Sequence, residues 1–393
     1  MSELLSVHQA LEAVLTRVEP LSAERVPLDQ ASERVLTEAA RAVVDLPPFP
    51  SSAMDGFAVR AADTPGSLPV VERVAAGRPA PRALAAGEAM GIATGGVVPE
   101  GADAVVPIER ATATGGRVDI PEATTAGANV RPRGGDVAGG AVVVAAGVRL
   151  GAAQIGALAA AGVGDVECSR RPRVAVLTTG TELRRPGEPL APGEIYESNG
   201  PMLAALLGRA GAEVVPLESV EDEDAAHRAA IERGLEQDVL VTSGGVSVGP
   251  HDLVRRIEGE LGVEEVFWGV SVKPGKPLAF GVRGKTLVFG LPGNPVSSLV
   301  CSVLFVLPAL RALQGENDPA PGYRDGTLAG PVRPDSRRDE LVRARLNSGG
   351  RLEPLSGRES HMIVRAAEAN ALIYLPAGED EIPSGASVRY LAL

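Results

Sequence analysis

Lysine is nearly absent from this chain. Three of its 393 residues are lysine, Lys273, Lys276 and Lys285, although lysine and arginine together number 38. Cysteine is almost as scarce: Cys168 and Cys301 stand alone and far apart, which excludes a disulfide framework or a cysteine zinc motif. Both are expected to be core residues in a reducing compartment. Aromatics make up only 3%, so the cores must be built from Val, Leu, Ile and Ala. A basic excess is missing too. The net charge of −12 argues against broad binding to nucleic acid or an acidic membrane, though not against a local cationic pocket. The longest apolar run, Val296 to Leu310, is broken by Ser297, Ser298, Ser302 and Pro308. It is too short and interrupted to cross a bilayer and reads as a buried helix. No basic segment followed by an apolar core opens the chain, so no secretion signal is expected, and the reading is a soluble cytoplasmic protein.

What is present divides the chain into four parts, within the two to four expected at ~100–200 residues per domain. Leu4, Val7, Leu11, Val14, Leu15 and Val18 repeat with helical spacing, Ser6 and Gln9 form a capping box, and Pro20 ends the helix. From about Asp45 to Asp136, short strands and turns such as Gly95-Gly96 and Gly115-Gly116 read as a mostly β domain. Leu150 to Ala161 is helical again. The flanking helical pieces are expected to pack together, making the β segment an insertion: 1–44 plus 138–171 around 45–137. From Pro172 strands and helices alternate: strands Val174 to Leu177, Val214 to Leu217 and Val239 to Thr242; a helix from Pro201 to Arg209 capped by Ser198; a helix from Ala225 to Leu235. That pattern predicts a parallel-rich α/β sheet over 172–317, with ligands at the C-terminal strand ends. A small β domain, 318–393, closes the chain, with a short helix near Met362 to Ala369 capped by Ser360 and a terminal strand from Ala386 to Leu393.

Two of the lysines lie in Lys273-Pro274-Gly275-Lys276-Pro277. An ammonium is a compact point charge where a guanidinium is a wide fork, so a proline-framed lysine pair points to a small, fixed anion site. Three polar, glycine-containing loops follow strands: Thr178 to Leu183; Thr242 to Gly249 with Pro250-His251-Asp252; and Leu291 to Ser297. Their glycines bring backbone N–H groups close to an anion, and Ser243, Ser247 and Ser297 add hydroxyls beside Gly244, Gly245, Pro292, Asn294 and Pro295. The glycine spacing fits neither a Walker loop nor a dinucleotide fingerprint. Glu182 and Asp252 sit just past strand ends, where they could hold a magnesium ion with substrate phosphate, although an aspartate there is also a common helix cap. A further acidic segment runs from Asp45 to Ala58; its Asp55-Gly56 pair is also a common hairpin turn.

Together the motifs Asp45 to Arg60, Thr94 to Val106, Asn129 to Asp136, Gly244 to Gly249, Lys273 to Lys276 and Pro292-Gly293-Asn294-Pro295 resemble the molybdopterin molybdenumtransferase (MoeA) family, related to the E domain of gephyrin. The resemblance covers nearly the whole chain. It implies an elongated homodimer of four-part subunits whose α/β domain is similar to molybdopterin adenylyltransferase, the upstream partner. The implied reaction loads molybdenum from molybdate onto adenylylated molybdopterin and releases AMP with magnesium. Carried over residue by residue, Asp55, Thr94, Asp136, Glu182 and Asp252 become the acidic and polar site positions, and Arg131 the arginine ahead of the acidic turn. Lys273, Lys276 and Ser297 match the molybdate pocket, which Arg338 and Ser360 complete. Ser360-His361-Met362 departs from the Ser/Gly-rich stretch expected there, and His251 replaces a smaller residue. In such a dimer Asp55 and Thr94 could serve the partner's α/β domain. Two other readings remain open: an adenylyltransferase acting on ATP, and a scaffold or pterin-binding protein of the same fold without catalysis.

Overall fold

The computed structural model describes residues 4–217, 224–244 and 253–393. The first helix, Val7–Leu15, opens with the reciprocal cap its sequence predicts. The Gln9 N–H donates to Ser6 Oγ at 3.1 Å, and the Ser6 N–H to Gln9 Oε1 at 2.9 Å. It ends well before Pro20, at Thr16, whose hydroxyl donates to the Glu12 carbonyl at 2.9 Å. Its buried face, Val7, Ala10 and Val14, joins the α/β core with Phe289, Leu304 and Leu310. The expected packing of this helix on the second helical piece is therefore corrected. That piece, Ala152–Ala160, buries only Leu158, in a separate core with Val26, Leu36, Leu150 and Val166. The two chain segments flanking the β insertion meet instead through strands Ala23–Pro27 and Asp165–Ser169, which pair antiparallel.

The insertion is a six-stranded sheet in the order Ala104–Pro107, Gly56–Val59, Ala89–Ile92, Gly66–Val74, Arg117–Ile120, Thr112–Thr114. Gly56 is the first residue of its strand and not the corner of a hairpin. A β-carbon there would lie 2.0 Å from the Val106 carbonyl oxygen, so glycine is required by a close backbone approach.

In the α/β domain the strand order is Glu213–Pro216, Arg173–Thr178, Val239–Ser243, Thr286–Leu291, Ala279–Arg283, Glu264–Trp268. The first four are parallel and the last two antiparallel. Near-continuous Val, Leu and Phe in the central strands suits burial on both faces. Thr178 pairs with Ser243, and Ser243 with Leu291, so three parallel strands end side by side. The apolar run is a helix, Pro295–Leu313, interrupted by a π turn at Ser302–Val306. Among the described residues it alone is long and apolar enough to cross a membrane, but most of it is buried in the protein. Ser198 occupies the N-cap position of Asn199–Arg209 without a side-chain cap bond.

The C-terminal part closes into a small barrel: Asp339–Leu346 pairs with both Arg351–Pro354 and Ala371–Leu375, and Arg324–Leu328 and Ser387–Ala392 complete the circuit. A short strand from the α/β domain, Val272–Lys273, pairs with the start of the barrel strand Asp339–Leu346, placing Lys273 opposite Glu340. Ser360 does not cap the short helix Ile363–Ala366, whose N-cap is Met362; it is bonded to the α/β domain instead.

Candidate functional site

The register of the parallel strands brings their following loops together. They line a cavity of about 730 Å³ that includes Thr179, Gly180, Glu182, Ser243, Gly244, Pro292, Asn294 and Pro295. Gly244 has φ +99°, and a β-carbon on it would sit 2.6 Å from the Thr179 carbonyl oxygen. Only glycine lets the second loop lie against the first. Behind them, Asn199 donates its amide to Ser243 Oγ at 2.8 Å and to the Gly293 carbonyl at 2.7 Å. One buried side chain thus ties the helix start to the second and third loops, a role the sequence concealed because Ser-Asn before a helix looks like capping.

A second cavity of about 480 Å³ is lined by Lys273, Gly275, Lys276, Ser297, Arg338, Arg358, Ser360 and His361. The two cavities share Pro277, Pro292, Asn294 and His361. Phosphate-type loops and the lysine loop are therefore neighbours, on the edge facing the barrel. Gly275, with φ +124°, lies against Cys301, whose Sγ would be 2.6 Å from a β-carbon. Burial pushes the Cys301 thiol up to about 12, which leaves it an inert packing group and not a nucleophile. Cys168 is likewise buried.

The lysines are not equivalent. Lys273 Nζ lies 3.4 Å from both Asp335 Oδ2 and Glu340 Oε1, so it is already paired with carboxylates of the C-terminal part. Lys276 is exposed and has no ion pair among the described residues. Lys285 pairs with Glu19 at 2.9 Å on the surface and lines neither cavity. The N–H of Arg337 and the charges of Lys273 and Arg338 hold the Asp335 carboxyl below its ordinary value, against the opposing effect of desolvation. Arg358, which sequence reading missed, donates to Glu340 at 3.4 Å and to the Arg333 carbonyl at 2.8 Å. It sits in the loop that buried Arg343 anchors through the carbonyls of Gly357, Glu359 and Met362. Nothing near Arg358 in sequence distinguishes it from the many other arginines.

The remaining expected residues lie elsewhere in this chain. Asp55 Oδ1 accepts from the Thr94 N–H at 2.7 Å and the Thr94 hydroxyl at 3.0 Å, and these bonds hold its carboxyl below the usual range. Arg131 pairs with Ser51 in a short ladder, and the Asp136 N–H donates to the Leu46 carbonyl. None of Asp55, Thr94, Arg131 and Asp136 lines either cavity. The acidic turn is held by a different pair: Asp45 accepts from the Gly139 N–H at 2.8 Å and from Arg133 at 2.5 Å. Gly245, Ser247, His251 and Asp252 lie outside the described residues. Among the described residues no three His, Cys, Asp or Glu side chains form a metal cluster. Glu182 and Glu197 both line the larger cavity, and one or two carboxylates with substrate phosphates suffice for magnesium.

An α/β sheet with polar loops at its strand ends, meeting a C-terminal barrel at a cationic cavity and joined to a separate β insertion, defines a multidomain protein suited to an anionic ligand. Family profiles match the "MoeA N-terminal region (domain I and II)" over residues 5–162, a "Probable molybdopterin binding domain" over 175–312 and the "MoeA C-terminal region (domain IV)" over 325–393. The chain belongs to the MoeA family. It is 38% identical over 97% of both chains to molybdopterin molybdenumtransferase 2 of Mycobacterium tuberculosis. It is 36% identical to the molybdopterin molybdenumtransferase of Nostoc sp., over 94% of this chain and 88% of that one. A crystal structure of the molybdopterin biosynthesis MoeA protein from Pyrococcus horikoshii superposes with TM-score 0.82 at 32% identity, covering 99% of each chain.

Proposed function

We propose that this chain is a transferase that inserts molybdenum into molybdopterin. The observation that carries the reading is the junction of the two cavities: loops suited to phosphate open beside a cavity whose lysines, arginines and hydroxyls suit an oxyanion. The relatives' names supply the reaction, and the strand-end loops and Lys276 supply chemistry that fits it.

In finer detail, the substrate is adenylylated molybdopterin, molybdate enters the smaller cavity, and AMP leaves. Backbone N–H groups of the glycine loops, with Ser243, hold the phosphates. Lys273, Lys276, Ser297, Arg338 and Ser360 hold the oxyanion by charge and hydroxyl donation. Glu182 and Asp252 are the residues that would hold magnesium. A bound magnesium ion would neutralise phosphate charge as AMP separates. Asp55, Thr94, Arg131 and Asp136 then act in a homodimer, on the partner's α/β domain; their separation from both cavities within one chain supports this arrangement. Molybdopterin adenylyltransferase is the upstream partner, in the cytoplasm. The same reading divides the chain into 1–44 with 138–171, 45–137, 172–317 and 318–393, with the helix Val7–Leu15 docked on the third part.

The test is metal loading at limiting molybdate with purified adenylylated molybdopterin. Wild type should consume the substrate and release AMP in step with molybdenum cofactor. Adenylylation of molybdopterin from ATP by this chain, with no molybdate-dependent AMP release, would replace the reading with the adenylyltransferase one. No turnover of either kind would favour a scaffold.

A further inference from the structure

We propose that Glu340 is a positioning residue of the oxyanion cavity, holding Lys273 and Arg358 on a single buried carboxylate. The inference rests on the assignment of the smaller cavity to molybdate and adds a residue that does not itself line that cavity. Glu340 is 2% exposed. One oxygen lies 3.4 Å from Lys273 Nζ and the other 3.4 Å from Arg358 Nη1. The two cations come from different parts of the chain, the lysine loop of the α/β domain and the 357–362 loop of the barrel. Both line the cavity.

Three features make this arrangement a frame for the cations. Lys273 and Glu340 are cross-strand partners, so the backbone fixes their spacing. Arg358 is held a second time, by the Arg333 carbonyl at 2.8 Å. Asp335 grips Lys273 from the rim at 3.4 Å and is itself fixed by the N–H groups of Arg337 and Arg338, at 3.0 and 3.1 Å. A buried carboxylate is tolerated only when paired, and two neighbouring cations without a common counter-ion repel and swing toward water. Glu340 solves both problems at once. It lets Lys273 and Arg358 point at a shared anion without reorganising when that anion arrives. Pure electrostatics makes the opposite forecast: a carboxylate beside an anion site weakens binding, so removing it should tighten molybdate binding.

The experiment measures KM for molybdate and kcat for metal loading, together with thermal unfolding, in Glu340→Gln, Glu340→Asp, Asp335→Asn and Lys276→Ala. Positioning predicts that Glu340→Gln raises KM for molybdate by about tenfold, the scale seen when a partner orienting an ion-binding group is lost, with kcat at saturation within about twofold. Glu340→Asp should recover part of the loss, and Asp335→Asn should move KM in the same direction by less. A KM that falls or stays unchanged in folded Glu340→Gln overturns the proposal, as does an equal loss in kcat with KM constant. If Glu340→Gln does not fold, Asp335→Asn decides on the same KM criterion. Lys276→Ala separates the two levels of inference. Should it leave KM for molybdate unchanged, the cavity assignment itself fails; should it raise KM while the Glu340 and Asp335 variants do not, only the positioning role fails.

Discussion

The Asn294 side-chain amide donates to Ser360 Oγ at 2.8 Å, joining the third strand-end loop to the C-terminal barrel. The Val296 N–H adds a second tie, to the Ser360 carbonyl at 3.1 Å. Asn294 lines both cavities. Replacing Asn294 by Ala removes one exposed hydrogen bond and should cost no more than about 1 kcal/mol of stability. Activity should suffer more, because Ser360 is freed at the cavity wall: KM for molybdate should rise several-fold, on the order of one lost hydrogen bond. Thermal melts and molybdate titrations of the same preparation check the two halves. A variant with an unchanged molybdate KM would remove Asn294 from the site.

Gly244→Ala should be severe. Its φ of +99° disfavours any side chain, and the new β-carbon would meet the Thr179 carbonyl oxygen at 2.6 Å. Strain of this kind costs about 1–3 kcal/mol, and relief requires the second loop to lift off the first. We expect a folded protein with a lowered melting temperature and metal-loading activity reduced by two orders of magnitude or more, a loss equivalent to about 3 kcal/mol of barrier. Activity retained at near wild-type level would mean that the close approach of these loops is dispensable.

The acid end of the stability profile should depend on Asp238, at the opposite end of the sheet from the site. Partial burial pushes its carboxyl up, but Arg170's two hydrogen bonds of 2.6 Å, the Arg173 N–H and the two guanidinium charges outweigh burial and leave it below its ordinary value. A depressed folded value stabilises the protein above the unfolded value of about 3.9 and loses that stabilisation as pH falls through the folded one. Asp238→Asn should therefore cost about 2 kcal/mol at pH 7, typical of hydrogen bonds to a charged group. The difference from wild type should shrink as pH falls below the unfolded value of about 3.9, where the unfolded carboxyl protonates first and the folded one follows at lower pH. Urea melts at pH 7 and pH 3.5 measure both; a penalty independent of pH would assign the effect to packing alone.

Mixing subunits tests where Asp55 and Thr94 act. Neither lines the cavities of its own chain, although both are fixed to one another by two hydrogen bonds. At limiting molybdate, Asp55→Asn and Lys276→Ala homomers should each be strongly impaired. If the site is shared between two copies, verified heterodimers of the two variants should recover up to half of wild-type activity, since one of their two sites carries neither substitution. Heterodimers as inactive as the parents would confine Asp55 to a structural role.

Local patterns proved legible where one residue type answers one local demand. The Ser6–Gln9 cap, the buried helix from Pro295 and the alternating α/β segment follow from short-range geometry and hydrophobic periodicity. The convergence of three glycine-bearing loops was readable too, because parallel strands oblige their following loops to leave from one edge. Long-range partners were not. Val7–Leu15 has an ordinary apolar face, and only the shape of the α/β core selects it over the alanine-rich Ala152–Ala160. Ser360 looked like a helix cap, and Asn294 claimed it from 66 residues away.

The sequence by itself determined the family, the order of parts and the lysine loop as the unusual feature, since these depend on residue identity and spacing along the chain. Tertiary structure decided how each lysine is held. Lys273 and Lys276 are near-equivalents in sequence, but a β-bridge sets Lys273 against buried Glu340 while Lys276 faces solvent. Charge pairing depends on distance through space, and 67 residues of intervening chain conceal it until the barrel docks.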